Sequence, residues 1–329
     1  MTGERVDRAT YHVHVSAPAG VVYAVLADAA KLPLYCSQSV HVECLESDGE
    51  RERLRMWSLV GGQVKSWISW RHLDQVERRL EFRQKLPGSP LDSVRGVLSV
   101  RPEGPHDTEL ELRYGLDDLP DTQWVEQAAG LDIRAQLTQL KSFAERWTRL
   151  DDLVLSFEDS IRVHGPAELA YDFLYRAGDW PELVPDVARV AFAEEAPGVQ
   201  RLTLERLTEN GSHTTAAVRI CFPHAGRIVY KQTETLPLLA AHTGEWSVVP
   251  DETGTTITSK QTVVLREQDI TAVLGPGADL ADARRQVRAT LGRNSLTLLT
   301  LARQHAESAV RMLTPTTSAG GRGATGERR

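Results

Sequence analysis

The chain reads as an α+β protein: two successive copies of an antiparallel sheet, each curled around one long helix. Three features predict this. The sequence repeats itself at an offset of a whole domain, the segments inside each repeat alternate polar and apolar residues, and each repeat closes on a run of helical periodicity.

The repeat starts with VSAPAGVVYAVLADAAKLP from Val15 and VHGPAELAYDFLYRAGDWP from Val163, 148 residues apart. At that offset Pro18 meets Pro166, Tyr23 meets Tyr171, Leu26 meets Leu174, and Pro33 meets Pro181. Further on Arg71 meets Arg219, Arg79 meets Arg227, Gly96 meets Gly244 and Thr108 meets Thr256. In each copy a first strand ends at a small-residue turn, SAPAG or HGPAE, whose proline can open a helix. A short helix carries Tyr23 and Leu26, or Tyr171 and Leu174, and a second turn holds KLPLY or DWPELVP. Alternating segments follow, among them VHVECLE, RERLRMWSLV, VKSWISWRHL, RRLEFRQKL and GVLSVRP. Gly, Pro, Asp and Asn break them up, as expected of a meander. Leu131, Leu137, Leu140, Phe143 and Trp147 then recur at helical spacing in the first copy, and Val287, Leu291, Leu298 and Leu301 in the second. The expected organisation is one domain over 1–150, a second over 151–313, and a disordered Gly/Ser/Thr/Arg-rich tail over 314–329. A curled sheet with a helix across its mouth leaves a cavity between them, a usual place for a ligand.

The bulk properties remove several function classes. The 329 residues carry a net charge of −7, so no basic field attracts nucleic acid. Cys36, Cys44 and Cys221 are too few and too scattered for a disulfide framework, and read as small buried fillers in a reducing compartment. No stretch resembles a signal peptide or a membrane span, so a cytoplasmic protein is expected. No phosphate-binding loop, dinucleotide fingerprint, nucleophile elbow or H-E-x-x-H run occurs. His12 and His14 share a strand face without an evident third ligand, so neither metal nor cofactor is expected.

Chemistry has to come from pocket side chains, and KSWISWRH (Lys65–His72) is where it concentrates. As a strand it puts Trp67, Ser69 and Arg71 on one face. Arg71 recurs as Arg219, so either both cations are solvated or both point into a cavity. In the second copy Ala216, Val218, Ile220 and Phe222 form an apolar face opposite Arg219. On pattern alone that face would be core and Arg219 would face water. The pocket alternative requires the apolar face to pack against something else, such as the partner domain.

The motifs W-x-S-x-R (Trp67, Ser69, Arg71), A-P-x-x-x-x-Y (Ala17, Pro18, Tyr23), D-W-P-E-L (Asp179–Leu183) and L-G-R-N-S-x-T (Leu291–Thr297), together with the duplication, resemble the di-domain aromatase/cyclases of bacterial type II polyketide synthesis. The resemblance implies tandem helix-grip domains of START/Bet v1 type. It also implies a poly-β-ketone substrate carried by an acyl carrier protein, other synthase subunits as partners, and first-ring aldol closure with dehydration. Arg71, Ser69 and Arg219 would then be catalytic. Trp67, Tyr35, Trp180, Trp246, Tyr230 and Asn294 would bind substrate, with Tyr35 and Tyr230 as acid/base or gating hydroxyls. The copies depart from the pattern in complementary ways: Ala217 replaces Ser69, while Leu32 and Leu98 stand where the second copy has Trp180 and Trp246. Trp180 and Trp246 serve equally as core, and Asn294 as an exposed polar residue. A non-catalytic module that shields an apolar polyketide or lipid-like ligand is the alternative function. Arg51, Arg53, Arg55, Arg78 and Arg79 offer a docking patch for an acidic carrier protein, or simply a solvated face.

Overall fold

The structure, a computed structural model, describes residues 9–85, 94–115, 132–208 and 211–313. The predicted tail and Leu131 lie outside the described residues. The N-terminal sheet has seven antiparallel strands: β1 (Ala9–Val15), β2 (Ser39–Ser47), β3 (Arg51–Val60), β4 (Gln63–Asp74), β5 (Arg79–Lys85), β6 (Val94–Pro102) and β7 (Thr108–Gly115). Their spatial order is β1-β7-β6-β5-β4-β3-β2. The C-terminal sheet repeats this plan with β8 (Val154–Val163), β9 (Val187–Ala196), β10 (Val199–Thr208), β11 (Gly211–Phe222), β12 (Arg227–Glu234), β13 (Leu239–Asp251) and β14 (Gly254–Leu265), in the order β8-β14-β13-β12-β11-β10-β9. Thus α+β helix-grip architecture occurs twice.

The helices also come in pairs. After β1 come α1 (Ala19–Ala27) and α2 (Leu32–Tyr35), and α3 (Ile133–Ala144) crosses the sheet. After β8 come α4 (Ala167–Tyr175), α5 (Trp180–Leu183) and, at the end, α6 (Leu280–Leu313). Pro18 and Pro166 stand just before α1 and α4, where a missing N–H costs nothing. The closing helices differ. The described α3 ends at Ala144, and Trp147, expected on its apolar stripe, is 38% exposed in a short turn beyond it. Gly96 and Gly244 are required by packing: a Cβ on either would come within 2.3 Å of the ring of Phe82 or Tyr230, respectively.

The expected 148-residue offset holds as far as β6 and β13. Pro102 pairs with Thr108, but Pro250 pairs with Thr255, so one residue is lost in the second turn. Thr108 and Thr255 each donate a side-chain hydrogen bond to the turn after the first strand, at Ala17 and Gly165. The pairing of Thr108 with Thr256 is therefore corrected to Thr255.

The halves meet through one sheet face. Val218, Ile220 and Val229 of β11 and β12 pack on Val40 and Trp57 of β2 and β3. Phe222 meets the Trp57 ring edge-on at 5.7 Å. Arg227 pairs with Glu43 at 2.6 Å, and Lys231 Nζ donates to the carbonyls of Cys36 and Ser39 at 2.6 and 2.7 Å. The apolar face of β11 is thus spent on the partner half, and its other face is free to line an interior. This removes the conflict over Arg219: strand alternation by itself cannot distinguish a core from an interface. Cys36 and Cys221 are buried, whereas Cys44 is exposed and does not act as a core filler. No described helix is long and apolar enough to cross a membrane.

Candidate functional site

Both central-strand arginines are buried, Arg71 to 7% and Arg219 to 1% exposure. Each is anchored in the same way. Arg71 Nη2 donates to the Leu26 and Ala27 carbonyls at 2.8 and 2.9 Å, and Arg219 Nη2 donates to the matching Leu174 carbonyl. These carbonyls lie at the ends of α1 and α4, where the helix dipole favours a cation. Opposite each arginine the copies differ. Glu52 faces Arg71 across β3, with Oε2 3.6 Å from Nε, while Gln200 faces Arg219 across β10. Arg219 forms no ion pair with any described residue, and its Nε and Nη1 have no hydrogen-bond partner. Instead its guanidinium lies 5.6 Å from the Trp180 ring and 5.5 Å from the Trp246 ring. Burial lowers the pKa of both guanidiniums; Glu52 counters this most for Arg71.

Around Arg219 the C-terminal sheet and α6 enclose a narrow cavity of about 110 Å³. Trp180, Trp246, Tyr230 and Asn294 all line it. Trp180 meets Trp246 edge-on at 6.3 Å and anchors its own Nε1 on the Phe173 carbonyl at 3.2 Å. Tyr230 lies 4.6 Å from Trp246, and burial pushes its phenol well above the usual range. Trp246 Nε1 and the Ser295 hydroxyl are buried without partners. At the rim Arg206 pairs with Asp186, next to His213, whose pKa is pulled down by burial and by Arg206.

The lining also brings together His242 and Gln261, a pair absent from the expected site residues. His242 Nε2 lies 3.0 Å from Gln261 Oε1 and 3.5 Å from the Tyr230 hydroxyl, and Nδ1 has no partner. Burial pushes the His242 pKa down to about 4. The signal existed in LAAHTGEW: strand alternation puts His242 and Gly244 on the face of Trp246.

The N-terminal half brings together Trp67, Ser69 and Arg71 as W-x-S-x-R predicts, and leaves Trp70, on the opposite face, 42% exposed. Trp67 Nε1 and Ser69 Oγ are buried without partners. Tyr35 donates to the Val25 carbonyl at 3.4 Å and tilts against Phe143 at 5.1 Å; burial pushes its phenol upward. A wider cleft of about 1070 Å³ opens beside α1, with Tyr23 and Glu52 in its lining. The five arginines considered for docking do not make a bare positive field. Arg53 pairs with Glu46, Arg79 with Glu81, and Arg55 lies over Trp57. Among the described residues no cluster of His, Cys, Asp or Glu could hold a metal; His12 pairs with Glu109.

Comparison with known proteins agrees with the duplicated fold. Residues 7–145 and 154–299 each match the family described as polyketide cyclase/dehydrase and lipid transport. The chain belongs to that family, in a two-copy form. The granaticin polyketide synthase bifunctional cyclase/dehydratase of Streptomyces violaceoruber is 36% identical over 92% of this chain and 95% of its own length. The actinorhodin counterpart of Streptomyces coelicolor is 36% identical over 88% of this chain and 93% of its own. Among solved structures, the di-domain ARO/CYC BexL superposes with a TM-score of 0.82 at 37% identity, covering 91% of this chain and 98% of its own. The chain is a polyketide aromatase/cyclase by class.

Proposed function

We propose that the chain, as two domains over 1–150 and 151–313, folds a carrier-bound poly-β-ketone and closes and dehydrates its first ring. The observation that carries this is Arg219: a guanidinium that is 1% exposed, has no carboxylate partner among the described residues, and has two nitrogens, Nε and Nη1, without a hydrogen-bond partner. An isolated buried charge costs several kcal/mol. Developing negative charge on a ketide oxygen would offset that cost during the reaction, as transition-state stabilisation requires. The cavity is of the order of the ~150 Å³ hole that takes one benzene ring, so it accommodates a single ring and not a whole chain. Trp180, Trp246, Tyr230 and Asn294 shape that pocket. In the N-terminal domain Arg71, Ser69, Trp67 and Tyr35 grip the rest of the chain, where Glu52 already neutralises the cation. Substrate delivery by an acyl carrier protein places the work in the cytoplasm beside the other synthase subunits.

Feeding minimal-synthase products to purified Arg71→Ala, Arg219→Ala and the double variant tests the proposal. Arg219→Ala should divert most product to unaromatised shunts, and Arg71→Ala should lower yield with partial loss of regiochemistry. Wild-type product profiles from all three would refute it. A purely shielding role predicts tight binding of a finished aromatic product with no change in product distribution.

A further inference from the structure

We propose that His242 is the general base of the C-terminal cavity, oriented by Gln261. The inference rests on the reading that the ketide reacts at Arg219.

The interior positions make the case. His242 and Gln261 lie on neighbouring strands, β13 and β14, and both line the cavity with Arg219. A continuous run connects them: Arg219 lies over Trp246, Trp246 packs on Tyr230, and Tyr230 meets the His242 ring at 5.6 Å. With Nε2–H donated to Gln261 Oε1, the lone pair is on Nδ1, the nitrogen without a partner. Leaving a buried acceptor unmet costs about 1–3 kcal/mol, and packing does not demand it. The repeat offset puts Val94 at the same place in the first half, where an apolar side chain fills the site. Burial keeps the imidazole neutral at pH 7, the form that accepts a proton.

Nδ1 takes one proton from a methylene between two carbonyls, and the released electron pair makes an enolate whose charge faces Arg219. The enolate carbon bonds to a distant ketone carbon, and that carbonyl's π pair moves to its oxygen, which takes the proton back from the imidazolium. A second α-proton then passes to Nδ1, the C=C bond forms, and hydroxide leaves with that proton as water. No oxidant or reductant is needed.

The test compares His242→Val, His242→Ala and Gln261→Leu with Arg219→Ala in the full chain, with the minimal synthase supplying substrate. Valine is tolerated at the twin position, so His242→Val should fold. Turnover should fall on the order of 10²–10⁴-fold in His242→Val with little change in KM. Added imidazole should restore part of it in His242→Ala and none in His242→Val. Gln261→Leu, acting through His242, should lose less. Wild-type turnover in His242→Val beside an impaired Arg219→Ala overturns the base assignment alone. An unimpaired Arg219→Ala overturns the earlier reading and this one with it.

Discussion

The interior positions that hold Phe82, Val94, Leu98, Leu112 and Tyr114 in the N-terminal half hold Tyr230, His242, Trp246, Ser259 and Gln261 in the C-terminal half. The first set makes an apolar lining, with Phe82 edge-on to Tyr114 at 5.7 Å. The second is a ring of donors and acceptors around an uncompensated cation. The two copies share the backbone plan, the arginine and its helix carbonyl, and differ in the opposing residue, a carboxylate in one and an amide in the other. The lesson concerns charge: Arg71 is held as half of an ion pair, and Arg219 is held by a helix carbonyl with Nε and Nη1 unpartnered.

That contrast is sharpest in a stability measurement. Replacing Arg71 by Met leaves the half-buried Glu52, 18% exposed, without its partner, so unfolding free energy should drop, by less than the about 3–5 kcal/mol of a fully buried broken pair. Glu52→Gln in the same chain should recover part of the loss. Replacing Arg219 by Met removes a charge that forms no ion pair among the described residues, and stability should hold or rise by about 1 kcal/mol or more while turnover collapses. Equal destabilisation by both in denaturant titrations would show that the two arginines are held alike.

The second difference appears in acid. His242 in the C-terminal half has a folded pKa near 4 against about 6.5 unfolded. Between those values the unfolded chain binds the extra proton, so stability present above pH 6.5 is lost as pH falls towards 4, by up to about 3 kcal/mol. His242→Val, which copies Val94, should flatten that limb. His41 at the interface is also pushed down to about 4 and should keep part of the slope in the variant. A variant curve parallel to wild type from pH 6.5 to 4 would show that His242 is not held neutral.

Much of this was legible in the chain. The duplication, the meander and the grouping of Trp67, Ser69 and Arg71 on one face follow from spacing and alternation, because strand side chains alternate with period two, whereas the inward direction of that face was implied by the family resemblance and not by the pattern. The direction of Arg219 did not follow, since β11 buries both faces and only the partner half explains Val218 and Ile220. Trp147 was misplaced because aromatic character does not reveal where a helix runs out, and Cys44 because small size does not reveal that it sits on an edge strand beside a register shift. His242 was overlooked because one histidine carries no motif. Its meaning comes from Gln261 and Tyr230, brought beside it by strand pairing.

Lys231 tests whether the two halves act as one body. It follows Tyr230 on β12, so when the tyrosine faces the C-terminal cavity the lysine faces the N-terminal half. Its Nζ is held by the carbonyls of Cys36 and Ser39, in the segment that follows Tyr35, and it forms no ion pair among the described residues. Burial pushes its pKa down to about 8, from 10.5. Above pH 8 the folded protein sheds this proton while the unfolded chain keeps it, so its contribution to stability rises with pH, by at most about 1.4 kcal/mol per unit. Cys221, pushed up to about 11 by burial, acts in the opposite sense above pH 9. The clean quantity is therefore the difference between wild type and Lys231→Met, followed from pH 7.5 to 9. It should shift in favour of wild type by about 1 kcal/mol over that range, and Lys231→Met should loosen amide protection in residues 36–39. Parallel stability curves with unchanged exchange would mean that the lysine is solvated and that the halves touch without bracing each other.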